Sequence, residues 1–378
     1  MHVVVPRETA PAERRVALIP SSVGKLKAAG IDVSVESGAG SGALHPDGAY
    51  EQAGAAVVAS IGQLMGEADV VCKVQAPTPD EARLLKEGSS LVSLLQPTAD
   101  LDLIRALQDR KVTAFSLDLL PRISRAQSMD ALSSQATVSG YRAVLIAAER
   151  LPRFFPMFMT AAGTVAPAKV LVMGAGVAGL QAIATARRLG AVVRAYDVRP
   201  AARDEVRSLG AAFVELELEA AEGSGGYAAE QSDDYLRRQR DMLAKEVAGA
   251  DVVITTAAIP GRRAPLLVTA DMVHAMSAGS VIVDLAAESG GNCELSEAGR
   301  DIDVDGVLVY GALNVPSSMA TAASFLYARN ISEFLALLAT DGRLSPDFDD
   351  EIVAGTCVTH NGAVRHTPTR ELIEGSNP

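Results

Sequence analysis

Residues 170–186 read VLVMGAGVAGLQAIATA, 17 positions without a charge between Lys169 and Arg187. Such a run has two folded solutions: a bilayer span, or a buried strand that turns into a helix. It falls just short of the usual spanning length and contains three glycines and a glutamine. Its β-branched start leads straight into Gly174-Ala175-Gly176-Val177-Ala178-Gly179, which fits the second solution. Gly174 permits a tight turn, Gly176 lets a pyrophosphate approach the backbone, and Gly179 lets the helix pack closely on the strand. The helix start then offers unpaired N–H groups to an anion.

A lone GxGxxG also arises for packing alone, so the flanking elements carry the weight. The next expected strand, VVRAYD (192–197), ends in Tyr196-Asp197, 18 residues beyond Gly179. An acid placed there accepts a hydrogen bond from a ribose 2′-OH and repels a 2′-phosphate, so NAD(H) is expected over NADP(H). Arg199 pulls the other way and reads as a solvated or adenine-side residue.

The remaining chain alternates apolar runs with helical stretches. VVVP (3–6), VSVE (33–36), DVVCKV (69–74), SLVSLL (90–95) and VTAFSL (112–117) read as strands, with helices at 21–29, 79–86 and 99–109. A second series comprises KVLVMG (169–174), VVRAYD (192–197), AFVELE (212–217), DVVITTA (251–257), SVIVDLA (280–286) and VLVYG (307–311), with helices at 177–189, 200–209, 232–248 and 269–277. Fully apolar strands alternating with helices predict parallel sheets covered on both faces. The expected fold is α/β: two Rossmann-like lobes with parallel sheets, joined by two long helices, with a ligand-binding cleft between them. The boundaries are 1–129 plus 339–378 for the first lobe, 130–150 for a connecting helix, 151–316 for the nucleotide-binding lobe and 317–338 for a return helix.

Composition narrows the function. With 34 Lys+Arg against 46 Asp+Glu, the net charge of −12 gives no basic footprint for nucleic acid. Cys72, Cys293 and Cys357 leave an odd thiol in any pairing, which argues for a reducing compartment. The five histidines form no HxH or HExxH spacing, and only Cys357 and His360 approach a zinc-like interval, so no metal site is expected. MHVVVPRETAPAERR has no apolar core of a signal peptide, and no segment is expected to enter a membrane.

Two further segments admit two readings each. Glu222 to Tyr227, EGSGGY, is either a lid that closes an aromatic over a nucleotide or a surface loop. Pro121 to Gln135, PRISRAQSMDALSSQ, is either a polar cradle for an amide and a ribose or a helix start capped by Ser128 or Asp130.

RISRAQSMDALSSQATVSGYRAV, VMGAGVAGLQAIATARRLGAVVRAYDVR, ITTAAIPG and VDLAAESGGNCE together resemble domain I of proton-translocating NAD(P) transhydrogenase. The likeness runs from PRE and ERRVALIP within 6–20 to GTCVTHNGAV at 355–364, nearly the whole chain, and RAQSMDALSSQ is its most specific part. It implies an NAD(H)-binding subunit that presents NADH for direct hydride transfer to NADP(H) on a partner beta subunit. A separate membrane-spanning subunit conducts the protons. It also implies a homodimer, peripheral on the cytoplasmic face of the membrane. Gln127, Asp130 and Ser133 would hold the nicotinamide end, with Arg122 paired to Asp130 or to the carboxamide. Gly176 and Val177 would lie by the pyrophosphate, and Asp197, Val198 and Arg199 by the adenosine. Gly226 and Tyr227 would belong to a mobile loop, and Ala258 to the loop after the fourth strand. No general acid is required.

Alanine dehydrogenases share this fold, and their pattern places a substrate-binding arginine and lysine where Arg15 and Lys73 stand. It also places a histidine at Gln96 and an aspartate at Glu288. Glutamine cannot shuttle a proton, so amino-acid oxidation is the second reading. A non-catalytic NAD-binding module is the third.

Overall fold

The computed structural model describes residues 1–215, 233–258 and 263–375. It divides into two compact units, Met1–Gln135 with Pro316–Pro378, and Ala136–Val315.

The first unit opens with a βα alternation. Strands β1 (His2–Val5), β2 (Asp32–Glu36), β3 (Ala56–Val58), β4 (Val70–Gln75), β5 (Ser90–Leu94) and β6 (Thr113–Ser116) run parallel in the order β6-β5-β4-β1-β2-β3. Between them lie α1 (Pro20–Ala28), α2 (Asp47–Gln52), α3 (Ile61–Met65), α4 (Pro79–Leu84) and α5 (Leu101–Asp109). The helix starts are written locally. Thr78 and Glu81 form a reciprocal capping box on α4, and Asp100 accepts from Leu103 N–H at 3.0 Å on α5. The short β3, α2 and α3 have too few periodic positions to be visible in the sequence.

The 20-residue α6 (Ala131–Arg150) leads into the second unit. There a hairpin of β7 (Phe158–Thr160) and β8 (Gly163–Val165) precedes β9 (Lys169–Met173), α7 (Val177–Arg188), β10 (Val192–Tyr196), α8 (Ala202–Ser208) and β11 (Ala212–Phe213). Then follow α9 (Asp233–Ala248), β12 (Val252–Thr255), α10 (Ala270–His274), β13 (Val281–Asp284), β14 (Asp301–Val304) and β15 (Val307–Gly311). The sheet order is β11-β10-β9-β12-β13-β15-β14. Of the expected AFVELE strand, only Ala212–Phe213 is strand among the described residues.

Helix α11 (Ala320–Leu338) returns the chain to the first unit, where Tyr327, Ile331, Phe334 and Leu335 are buried in its core. After the small hairpin β16 (Ala339–Thr340) and β17 (Arg343–Leu344) come α12 (Glu351–Thr356), β18 (Cys357–His360), β19 (Ala363–Val364) and α13 (Thr367–Gly375). β18 adds antiparallel to β6 and β19 to β18.

The sheets are therefore parallel-dominated rather than purely parallel. Antiparallel pairs close the β19-β18-β6 edge of one and the β14–β15 edge of the other. β14, DIDV, escaped the sequence reading because its outer face carries acids. Charges on an edge strand also discourage pairing with other chains.

Each sheet has an apolar core on both faces. Val5, Val74 and Phe115 lie on one face of the first sheet, and Val4, Val71 and Leu91 on the other. In the second, Val170, Val172 and Ile254 oppose Leu171, Val253 and Ile282. This is why the strands read as continuous apolar runs rather than alternations. Among the described residues no helix is long and apolar enough to cross a membrane.

One close approach holds the glycine-rich turn in place. A Cβ built at Gly140 on α6 would lie 2.0 Å from the Ala178 carbonyl in the first turn of α7. Gly140→Ala gains about 1 kcal/mol of helix propensity but forces that overlap to relax, and overpacking costs typically ~1–3 kcal/mol, occasionally more. Net destabilisation is expected, read as a lowered Tm. A Tm at or above that of the parent would show that α6 and α7 can separate freely.

Candidate functional site

In the second sheet, chain order reverses at β9: β10 lies on one side of it and β12 on the other. Ligands of open α/β sheets sit beyond the carboxyl ends of the strands at such a point. Gly174 and Thr256 occupy those ends here. Gly174 has φ +104°, and a Cβ on it would meet Thr256 Oγ1 at 2.5 Å. A Cβ on Gly179 would lie 1.8 Å from the Gly174 carbonyl oxygen. Both glycines are therefore required by backbone packing. Gly176 differs: it is exposed, nothing among the described residues lies within 4 Å of its Cβ position, and it is the N-cap of α7 without a side-chain cap. The exposed Val177 follows it. The start of a 12-residue helix, with no acid in its first turn, can hold an anion here.

Asp197 lies one residue past β10 and accepts from Ala175 N–H at 2.7 Å, which joins the acid to the glycine turn. Burial alone would raise its carboxyl. Hydrogen bonds from Arg199 and from the Ala175 N–H outweigh burial and hold it below the usual aspartate range. Val198 is 74% exposed. Ala258 lies in the segment that leaves β12, and Gly226 and Tyr227 lie outside the described residues.

That β12 segment is held by residues the sequence reading missed. Thr256 Oγ1 donates to the Gly174 carbonyl at 3.1 Å. Asn292, fully buried, exchanges a pair of bonds with Ala257: its Oδ1 accepts from the N–H at 3.0 Å, and its Nδ2 donates to the carbonyl at 2.8 Å. Asn292 is held in turn by Asp284, the last residue of β13. The Asp284 carboxylate accepts from Thr255 Oγ1, Ala286 N–H, Asn292 N–H, Cys293 N–H and Ser296 Oγ, all between 2.6 and 3.0 Å. A polar residue ending an apolar strand, VIVD, was the available signal.

The polar segment of the first unit is a 3-10 turn, Ser124–Met129, pinned by buried Ala126 and Met129. Asp130 accepts from Ser133 N–H at 2.8 Å and Ser133 Oγ at 2.6 Å, so Asp130, not Ser128, caps α6. Asp130 makes no ion pair with Arg122, which corrects that option: its carboxylate is turned to the α6 start instead. Arg122 and Gln127 are exposed. Asn330 of α11 donates to the Ser128 carbonyl at 2.8 Å and accepts from Ser134 Oγ at 2.7 Å. The structure therefore gathers two sets, each within one unit: Gly174, Gly176, Val177, Gly179, Asp197, Val198, Arg199 and Ala258 in the second, and Arg122, Gln127, Asp130 and Ser133 in the first.

The first sheet has its own reversal, at β1 with β2 and β4 beside it, and its own side chains fill that point. Glu13 takes the Arg15 guanidinium in two bonds, 2.8 Å from Nε and 2.6 Å from Nη2, and also accepts from Gln75 at 2.8 Å. Arg15 Nη1 donates to Gln135 at 2.9 Å. Lys73, 1% exposed, lies 3.6 Å from both Glu8 and Glu81 and has no hydrogen-bond partner among the described residues. Burial pushes the Glu8 carboxyl up despite Lys73 and the Val74 N–H at 2.6 Å. Gln96 is exposed at φ +45°, and Glu288 accepts from Asn314 N–H at 2.9 Å. Among the described residues no three His, Cys, Asp or Glu side chains gather as a metal site.

Burial would raise Glu13, but the Arg15 hydrogen bonds and charge dominate and lower it to about 2. A depressed carboxyl stabilises the fold above its unfolded value of 4.5, and the contribution is lost as pH falls through about 2. The shift corresponds to about 3 kcal/mol. Urea unfolding from pH 7 to pH 2 is expected to show Glu13→Gln less stable by roughly that amount at neutral pH, the gap closing between 4.5 and 2. A gap independent of pH would show that the charge of Glu13 is not what stabilises.

Two domain models match the chain: alanine dehydrogenase/PNT, N-terminal domain, over residues 4–139, and alanine dehydrogenase/PNT, C-terminal domain, over 143–367. An NAD(P) transhydrogenase alpha-subunit polypeptide of Rhodospirillum rubrum is 49% identical over 376 residues, 97% of this chain and 98% of that one. A crystal structure of transhydrogenase from Sinorhizobium meliloti superimposes with a TM-score of 0.89 at 48% identity, covering 96% of this chain and 100% of that one. An L-alanine dehydrogenase structure gives 0.83 at 27% identity, with 99% of each chain covered. With both domain models matched in order, and the higher identities on the transhydrogenase side, the chain belongs to the alanine dehydrogenase/PNT family, among the NAD(P) transhydrogenase alpha subunits.

Proposed function

We propose that this chain binds NAD(H) and presents its nicotinamide for direct hydride transfer to NADP(H) held by a partner beta subunit. A third, membrane-spanning subunit couples the transfer to proton movement. The observation that carries this reading is the glycine turn, seated at the sheet's reversal point with Asp197 hydrogen-bonded to it at 2.7 Å. Family membership supplies the reaction type.

The N–H groups at Gly176 and Val177 take the pyrophosphate, and Asp197, Val198 and Arg199 take the adenosine. Ala258 borders the nucleotide from the β12 segment, which Asn292 and Thr256 hold in register. Gln127 and Arg122 offer polar heads to the nicotinamide end, while the Asp130–Ser133 cap fixes the turn that carries them. NADH supplies the hydride and NADP+ on the partner accepts it, so these residues orient the nucleotide and exclude water, and none needs to move a proton.

The subunit acts as a homodimer at the cytoplasmic face of the membrane. The β7–β8 hairpin supports self-association: Phe158 and Met159 are exposed, Phe154 packs edge-on against Phe158 at 4.7 Å, and Met157 and Val165 are exposed beside them.

The alanine-dehydrogenase reading draws on buried Arg15 and Lys73. However, Glu13 occupies the arginine fork that would bind a substrate carboxylate, and Gln96 offers an amide where a proton carrier is needed.

Mixing the purified chain with an NADP(H)-binding partner protein is expected to give NADH-dependent reduction of NADP+ or an analogue, and no NADH consumption with pyruvate and ammonia. NADH binding without turnover with any competent partner would refute the transhydrogenase reading, and a clear rate with pyruvate and ammonia would replace it. Gln127→Asn shortens the side chain by one methylene. NADH affinity should stay within a few-fold while transfer falls by roughly 10²-fold, the scale of a small misplacement at the reacting carbon. An unchanged rate would remove Gln127 from the site.

A further inference from the structure

The carboxylate of Asp197 is fully engaged. Its Oδ1 accepts from the Arg199 backbone N–H at 2.8 Å and from Arg199 Nε at 3.0 Å. Its Oδ2 accepts from Ala175 N–H at 2.7 Å and from Arg199 Nη2 at 3.1 Å. A carboxylate has about four acceptor positions, and here four donors take them. Arg199 supplies three of the four. Its Nη2 also reaches the Ala175 carbonyl at 3.2 Å, so the guanidinium bridges the acid to the glycine turn.

Two consequences follow from this geometry. A ribose hydroxyl can reach Asp197 only by displacing a donor. The Ala175 and Arg199 N–H groups are fixed by backbone, whereas the Arg199 side chain is 58% exposed and can leave; the Asp197 side chain, at 7%, cannot. In addition, a guanidinium seated on the acid cancels the charge with which that acid repels a 2′-phosphate. Once displaced, it is itself a planar donor fork suited to phosphate. Among the described residues, Glu205 on α8 also acts on the guanidinium charge.

We propose that Arg199 is a specificity-determining residue, a clamp that competes with the nucleotide ribose for Asp197 and leaves the site a residual tolerance for 2′-phosphorylated dinucleotides. The proposal rests on the reading of this chain as an NAD(H)-binding subunit and assigns what limits its nucleotide selectivity. Arg199 then weakens NADH binding and strengthens NADPH binding at the same time, a pairing of effects that a simple adenosine contact does not produce.

The test is equilibrium titration of the full chain with NADH and with NADPH, followed by nicotinamide fluorescence, for the wild type, Arg199→Leu and Asp197→Asn, with Tm recorded for each. Leucine keeps an apolar stem and frees the acid. Arg199→Leu should bind NADH about two- to fivefold more tightly, the worth of one partly exposed ion pair. It should bind NADPH roughly tenfold or more weakly, because an uncompensated carboxylate then faces the 2′-phosphate. Asp197→Asn frees the guanidinium instead and should move the NADPH/NADH affinity ratio in the opposite direction. Equal weakening of both nucleotides in Arg199→Leu would make Arg199 a general contact and overturn the proposal, as would an unchanged ratio. A wild type that unfolds in a cooperative thermal transition yet binds neither nucleotide would refute the NAD(H) reading itself. Wild-type binding with an unmoved ratio would refute the clamp alone.

Discussion

A methyl group on Gly179 would lie 1.8 Å from the Gly174 carbonyl oxygen, and much of the second unit depends on that exclusion. Only two bare α-carbons let α7 begin so close to the end of β9. Once it does, its first turn meets α6 at Gly140, its N-cap Gly176 faces outward, and Ala175 presents its N–H to Asp197. The site is thus the by-product of a packing constraint: the backbone is brought close for contact, and its unpaired N–H groups are what a phosphate needs.

The two units solve the same topological problem in opposite ways. Each parallel sheet has a reversal of strand order, where loops diverge and leave room beyond the strand ends. In the second unit that room is bordered by glycines and by a β12 segment held from behind. The supporting carboxylate, Asp284, is buried and, among the described residues, satisfied by five neutral donors rather than by a cation, so it rigidifies the segment. In the first unit the room is filled by Glu8, Glu13, Arg15, Lys73 and Gln75. Buried charges of that kind are costly unless paired, and Glu13 pairs with Arg15 as closely as an external carboxylate would. The same topology therefore leaves an open reversal point in one unit and, in the other, a point whose cations are already matched.

Most strands of both series were legible because they are buried on both faces and read as uninterrupted β-branched runs, as with VVVP, DVVCKV and SVIVDLA. The elements that escaped have weaker patterns: β3, α2 and α3 are too short for a period, β14 alternates acids with apolar residues at an edge, and the β7–β8 hairpin is exposed on both strands. The expected parallel sheets are present, and the antiparallel edges added to them were not legible for a related reason, since the direction of an edge strand is not written in its own composition.

Within the site the division is similar. The glycine spacing and the acid at the end of β10 are local, because a turn must satisfy its own φ angles and a strand its own length. The sequence alone therefore determined the α/β class, the glycine turn and the place of Asp197. Only the tertiary structure decided what those groups touch. Asp130 caps α6 through Ser133 and not Arg122, Asn292 reaches back 35 residues to Ala257, Glu13 closes on Arg15, and Arg199 lies across Asp197. Hydrogen bonds and ion pairs act over about 3 Å, so their partners are settled by which strand ends the fold brings together, and spacing along the chain carries almost none of that information.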